Sequence, residues 1–148
     1  GTPILAVADG RLSKVGVNTL GGNRLWLTDD AGNWFYYAHL SAYAPVAVEG
    51  ARVTRGQVIA FMGNTGQAIT TPPHLHFEIH PGGMDATAIN PYPYLLAWER
   101  GAGEVPKAFH GGGESADPAV PVGAVVVAAV PEVESPPGPG EGVAVPVR

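Results

Sequence analysis

An all-β domain built on antiparallel strands, closed by one short helix and followed by an unstructured tail, is the organisation this sequence predicts. Three observations predict it. The stretch Pro73-His74-Leu75-His76-Phe77-Glu78-Ile79-His80 alternates polar and apolar residues without a break, the period of a half-buried strand. Gly and Pro punctuate the first ninety or so residues at intervals too short for helices. Beyond Arg100 the composition turns to Gly, Pro, Ala and Val with no sustained period.

The elements follow in order. Thr2 to Ala8 is an apolar run ending at the Asp9-Gly10 turn, and Arg11 to Val17 is expected to pair back across it. Asn18 to Gly22 reads as a loop. Arg24 to Thr28 and Trp34 to Leu40 flank Asp29-Asp30-Ala31-Gly32-Asn33, whose residue types suit a hairpin turn. Ser41 to Glu49 crosses over. Val53-Thr54 and Gln57 to Met62 are short strands separated by Arg55-Gly56, and His74 to His80 is the last strand. The one helix opens with Asn90 as N-cap and Pro91 at the first helical position, where a missing N–H costs nothing. Tyr94, Leu95 and Trp98 then recur at helical spacing, so this helix should lie against the sheet. Residues 101–148 cannot bury enough apolar surface to offset the entropy of ordering and read as a linker or tail.

Composition narrows the function classes. The chain has 148 residues, enough for one core. Residues 1–100 carry seven acidic and six basic side chains, and residues 101–148 carry six and two. The folded part is thus nearly neutral and lacks the basic patch of a nucleic-acid binder. With no Cys, neither a disulfide framework nor a thiolate metal site is available. Ala119 to Val130, interrupted by Pro121 and bounded by Pro118 and Pro131, is shorter than the roughly 20 residues of a bilayer span. No membrane span is expected.

The chemistry lies in the histidines. As a strand, residues 74–80 put His74, His76, Glu78 and His80 on one face and Leu75, Phe77 and Ile79 on the other. Two imidazoles at i and i+2, roughly 6–7 Å apart, are close enough to serve one metal and a water. A His-x-His pair alone is more often an ordinary polar pair, but a third histidine, His39, closes Trp34-Phe35-Tyr36-Tyr37-Ala38-His39-Leu40. By alternation His39 is expected to share a face with Tyr37 and Phe35. His80 falls on the polar face of the strand and His110 in a Gly-rich stretch, and both are read as incidental.

The ordered set of motifs resembles the lysostaphin-type, or LytM-type, zinc metallopeptidases that cut peptide bridges in bacterial peptidoglycan. Gly1-Thr2-Pro3-Ile4-Leu5-Ala6-Val7-Ala8-Asp9-Gly10 looks like the strand and turn after the first metal-binding motif, and Tyr37-Ala38-His39-Leu40-Ser41 like the Tyr-x-His-Leu-Ser motif. Val53 to Ala60 with Gly63-Asn64-Thr65-Gly66 resembles the next block. His74-Leu75-His76-Phe77-Glu78 resembles the signature, and Asn90-Pro91 with Tyr94-Leu95 the usual ending. The resemblance covers residues 1–100 and implies a barrel-sandwich hybrid fold.

Carried over residue by residue, the resemblance makes His76 a zinc ligand, and His39 and His74 the two catalytic histidines. Glu78 is expected to be a supporting or solvated carboxylate. The family's other two zinc ligands come from a His-x-x-x-Asp motif upstream of the Gly-Thr-Pro segment. None of Asp9, Asp29 or Asp30 fits that place, so the sequence is expected to be an incomplete copy of the domain. The implied reaction is Zn²⁺-assisted amide hydrolysis on a peptidoglycan peptide, by a monomer outside the cell or in its envelope. One of His39 and His74 would take a proton from water and the other would hydrogen-bond the oxyanion, in an order the sequence leaves open. A His₃ site of His39, His74 and His76 is chemically allowed, but the resemblance argues against it.

Two other classes compete. Val46 to Val53 and Gly56 to Ala60 resemble the hairpin of biotinyl and lipoyl carrier domains, yet neither Lys14 nor Lys107 sits in a carrier-like turn. A non-catalytic relative that binds cell wall or activates a partner hydrolase is the stronger rival. Retention of His39, His74 and His76 favours the enzyme.

Overall fold

A computed structural model of the chain describes residues 1–99 and the strand Val125–Val127. Its strands are β1 (Pro3–Leu5), β2 (Gly10–Asn18), β3 (Gly22–Asp29), β4 (Trp34–Tyr43), β5 (Arg52–Val53), β6 (Val58–Met62), β7 (Leu75–His80) and β8 (Val125–Val127), with helix α1 (Tyr92–Glu99) after β7. All pairings are antiparallel. The order across the sheet is β1-β6-β4-β3-β2-β5, and β7 pairs with β4 and β8. The result is the curled antiparallel sheet that the sequence predicts. The reading of residues 101–148 as a tail falls outside the described residues, β8 excepted.

β4 organises the rest. One edge pairs with β3 along most of its length, while the other edge changes partner midway. Trp34 to Ala38 pair with β7, Ala38 opposite His76, and Leu40 to Tyr43 pair with β6, Leu40 opposite Met62. His39 stands at the change of partner, where a strand must bend. Its backbone is left-handed, with φ 62°, an uncommon conformation for a non-glycine residue and one in which His is enriched.

The apolar face of β7 packs as its period requires: Leu75, Phe77 and Ile79 are buried. Phe77 stacks on Phe35 with ring centroids 6.3 Å apart and meets Tyr37 edge-on at 5.1 Å. Leu12, Leu25, Leu27, Leu40, Val53 and Ile59 complete a core with no exposed surface to speak of. Tyr94, Leu95 and Trp98 of α1 pack against that core, and Asn90 Oδ1 accepts from Tyr92 N at 3.0 Å, as an N-cap does. In the β3–β4 turn Asp29 Oδ1 accepts from the N–H groups of Ala31 and Asn33, and Oδ2 from Asn33 Nδ2. Asp29 is therefore a turn residue.

Two expectations are corrected. β2 does not pair back onto β1; β1 pairs with β6, and β2 lies between β3 and β5. The run from Thr2 to Ala8 is strand only over Pro3–Leu5, because Ala6 turns its N–H to Gln57 O and its carbonyl to Gly56 N. The β5–β6 turn is thereby clamped to the β1 end. A 3-10 turn at Gly66–Ala68 lies between β6 and β7.

Candidate active site

An open cleft of about 450 Å³ lies over the polar face of β4 and β7, between the β2–β3 loop and the Gly66–Ala68 turn. Its floor is Tyr36, Ala38, His39, His76 and Glu78, with His74 at the start of β7. The walls are Asn18, Leu20 and Gly21 on one side and Gln67, Ala68 and Thr71 on the other. Leu20 and Ile69 stand mostly exposed near the rim, so the walls present apolar as well as polar surface.

The walls are tied by backbone contact. Gly22 and Gly66 both have left-handed φ, 63° and 68°, and a Cβ on either would collide with the other's amide nitrogen. This close approach places Thr65 beside His39. Thr65 Oγ1 donates to Leu40 O at 2.8 Å and accepts from Asn23 N at 3.0 Å, joining β3, β4 and the turn. Asn18 Oδ1 accepts from Gly21 N at 2.6 Å, and Gly21 O accepts from His39 N at 2.8 Å.

The three sequence-predicted histidines meet here. The His39 ring centroid is 5.1 Å from that of His74 and 5.5 Å from that of His76. His39 is not on the face of Phe35 and Tyr37, as strict alternation predicts. Those two point into the core, and the left-handed His39 backbone resets the pattern so that His39 joins the cleft while Leu40 returns to the core. Tyr37 is fully buried, its hydroxyl accepting from Val7 N at 3.1 Å, and burial drives its pKa far above the ordinary phenol value. Tyr36 takes the groove position instead, edge-on to His76 at 5.8 Å. Alternation within Trp34 to Ala38 carried that signal, since Tyr36 falls opposite Tyr37.

Hydrogen bonding assigns the ring nitrogens. His39 Nδ1 lies 2.8 Å from Thr65 O, and His74 Nδ1 lies 2.9 Å from Pro72 O and 3.3 Å from Thr71 Oγ1. A carbonyl oxygen only accepts, so in each neutral ring Nδ1 carries the proton and Nε2 the lone pair. Burial holds the His39 pKa below the ordinary imidazole value; the Thr65 carbonyl opposes this, and the neighbouring His76 and His74 add to it. A neutral His39 ring can accept a proton at Nε2.

His76 Nε2 lies 2.6 Å from Glu78 Oε1, and His80 Nε2 lies 2.6 Å from Glu78 Oε2. The hydrogen bond from His76 holds the Glu78 carboxyl below the usual carboxylate range against the opposing effect of burial, with His80 adding to the lowering. His80, read as incidental, is thus part of the polar face. Among the described residues no three His, Asp or Glu side chains converge on one point as a metal cage would require, and His110 lies outside them. The lone-pair imidazole nitrogens suit a borderline-soft ion such as zinc, with further donors needed to complete a site.

The sequence matches the model of peptidase family M23 over residues 1–91. It is 35% identical over 106 residues to the L-Ala–D-Glu endopeptidase of Bacillus subtilis, across 68% of this chain and 32% of that protein. It is 40% identical over 98 residues to the glycyl-glycine endopeptidase ALE-1 of Staphylococcus capitis, across 64% of this chain and 26% of that protein. The chain therefore spans less than a third of either relative. The catalytic domain of the antimicrobial peptidase lysostaphin from Staphylococcus simulans shares its fold with a TM-score of 0.59 at 35% identity, over 65% of this chain and 71% of that one. The ordered motifs from Gly1 to Pro91, the curled sheet and the three-histidine cleft thus have one common origin: the chain belongs to peptidase family M23.

Proposed function

We propose that this chain carries the catalytic histidines of a zinc-dependent endopeptidase that hydrolyses peptide cross-links of bacterial peptidoglycan, outside the cell or in its envelope. The observation that carries this reading is the pairing of His39 and His74. Both rings are fixed through Nδ1 to backbone carbonyls and face one cleft with a basic Nε2. The relatives named for L-Ala–D-Glu and glycyl-glycine cleavage supply the substrate class.

His76 would hold the metal; among the described residues no second and third His, Asp or Glu donor converges with it. A bound Zn²⁺ supplies Lewis acidity, which acidifies a water and polarises a carbonyl. Within the cleft, the neutral Nε2 of one of His39 and His74 accepts a proton from the attacking water. The other, as a donor, hydrogen-bonds the developing oxyanion. Their Nδ1 bonds to Thr65 O and Pro72 O keep both rings oriented as the proton moves. An extended peptide lies along the cleft between Leu20 and Thr71, with Tyr36 beneath it.

The test is turnover of purified peptidoglycan by the zinc-loaded protein, followed by release of new amino termini, with zinc content measured for each variant. His39→Ala and His74→Ala should each lose on the order of 10²–10³ in rate and keep the metal. His76→Ala should lose metal and activity together. Zinc-loaded wild-type protein that binds cell walls but opens no cross-link of any type would replace this reading by a non-catalytic wall-binding or hydrolase-activating module.

A further inference from the structure

Trp26, Trp34 and Tyr36 stand on the face of the sheet that looks away from the core, and the two tryptophans have no part in the proposed chemistry. On β3 and β4 Trp26 lies opposite Tyr36 and Thr28 opposite Trp34, while Leu25, Leu27, Phe35 and Tyr37 between them are buried. The rows continue across neighbouring strands. Ser13, Trp26, Tyr36 and Glu78 are paired in one, and Arg11, Thr28, Trp34 and His80 in the next, roughly 7 Å further along the strands. All three aromatic side chains keep part of their surface in solvent. A contiguous aromatic patch on the outer face of a sheet marks a binding surface.

We propose that Trp26, Trp34 and Tyr36 form a platform for the pyranose rings of a peptidoglycan glycan strand, holding the sugar chain beside the peptide in the cleft. The proposal takes its ligand from the peptidoglycan reading above and adds a site for the part of the polymer that the cleft does not hold.

The platform is continuous with the cleft. Tyr36 belongs to both: it floors the cleft edge-on to His76 at 5.8 Å, and its ring centroid is 4.7 Å from that of Trp26. Trp26 is braced edge-on by Trp34 at 5.9 Å and by His80 at 5.1 Å. Rings held in this way lose little freedom when a ligand docks.

A saccharide fits this surface chemically. The C–H groups on one side of a pyranose can lie flat on an aromatic face, and its hydroxyl and acetamido groups form a polar rim. Polar partners stand beside Trp26. Among the described residues, Ser13 Oγ and Arg24 Nη1 are shielded from solvent with no hydrogen-bond partner. Ser13 is opposite Trp26, and Arg24 precedes Trp26 by two residues on the same face of β3. Unpaired groups of this kind call for a partner, which the donors and acceptors of a sugar rim supply. A cation, another common guest of aromatic faces, fits less well. Arg24 already brings positive charge to the platform, and both oxygens of Glu78 are taken, lying 2.6 Å from His76 Nε2 and His80 Nε2.

The test is indole N–H NMR of the metal-free full chain, titrated with a chitin tetrasaccharide, whose N-acetylated pyranose rings are linked as in the glycan strand. The Trp26 and Trp34 resonances should move, and that of Trp98, packed on the core from α1, should stay. Trp34→Ala should bind the tetrasaccharide roughly 3–10-fold more weakly, with Trp34→Phe close to wild type. Still Trp26 and Trp34 resonances at millimolar sugar, an equal shift of Trp98, or undiminished affinity in W34A would overturn the proposal. Should W34A fail to fold, the wild-type titration and W34F decide it. Movement of the same two resonances by N-acetyl-lysine amide but not by the sugar would replace the platform with a cation site. Neither metal nor turnover enters this measurement. Zinc-loaded protein that opens no cross-link, yet binds the tetrasaccharide at Trp26 and Trp34, would sink the peptidase reading and leave the sugar site standing.

Discussion

Replacing Gly66 by Ala tests whether the cleft is held open by the close approach of two backbones. Two separable effects oppose the methyl group. Gly66 has φ 68°, where an L-residue costs roughly 1–2 kcal/mol. The added Cβ would also lie below 3.0 Å from Gly22 N, Leu20 O and Gly21 C. All three are backbone atoms, with no flexible side chain among them to swing aside. Overpacking of this kind costs roughly 1–3 kcal/mol, so the whole effect is roughly 2–5 kcal/mol, a large part of the stability of an ordinary domain. Gly56 provides the control. Its φ is 82°, yet nothing lies within 4 Å of the Cβ position, so Gly56→Ala should show the conformational cost alone. Urea unfolding of both variants, followed by tryptophan fluorescence, gives the difference directly. G66A should be less stable than G56A by about 1–3 kcal/mol, and its loss of peptidoglycan turnover should exceed what the unfolded fraction explains, because Thr65 O holds His39. Equal destabilisation of the two variants, with full activity in folded G66A, would refute the argument.

Three further outcomes follow. Phe77→Ala empties a fully buried ring site between Phe35 and Tyr37 and should cost about 3–5 kcal/mol in the same unfolding assay. Tyr37→Phe leaves the half-buried Val7 N–H without its acceptor and should cost about 0.5–1.5 kcal/mol, while peptidoglycan turnover by the folded protein stays intact, since the hydroxyl does not face the cleft. Burial lowers the folded-state pKa of His39 below its value of 6.5 in the open chain, so the folded state binds fewer protons there. The associated stability is present above pH 6.5 and is lost as pH falls through the lower folded pKa. His39→Asn, which tolerates the left-handed backbone, should show a flatter decline of unfolding free energy over that range; an unchanged slope would show that His39 does not carry it.

The faces of β7, the Asp29–Asn33 turn and the Asn90 cap were legible in the sequence because each is set by contacts a few residues long. Alternation placed Leu75, Phe77 and Ile79 in the core, and an Asp followed by Gly and Asn closed the hairpin on its own carboxylate. The approach of His39, His74 and His76 was legible only through the resemblance of the ordered motifs, since no local pattern brings residues 39 and 76 together. Strict alternation even gave His39 the wrong face. The face of a strand residue is set by its neighbours along the chain only while the strand keeps one partner, and β4 exchanges β7 for β6 at that residue. The pairing of β1 with β6 instead of β2 had the same origin, because which edges meet is decided by the burial of the whole sheet.

The sequence by itself determined the strand faces, the near-neutral charge of the folded part and the kinds of side chain available for chemistry. Only the tertiary structure decided that Tyr36 and not Tyr37 lines the cleft, that Thr65 and Pro72 carbonyls select the basic nitrogens of His39 and His74, and that His80 steadies Glu78. The reason is directional. Hydrophobic burial depends on a residue's period and is readable along one strand, whereas a hydrogen bond between residues 39 and 65 depends on distances and angles fixed only when Gly22 and Gly66 bring two loops into contact.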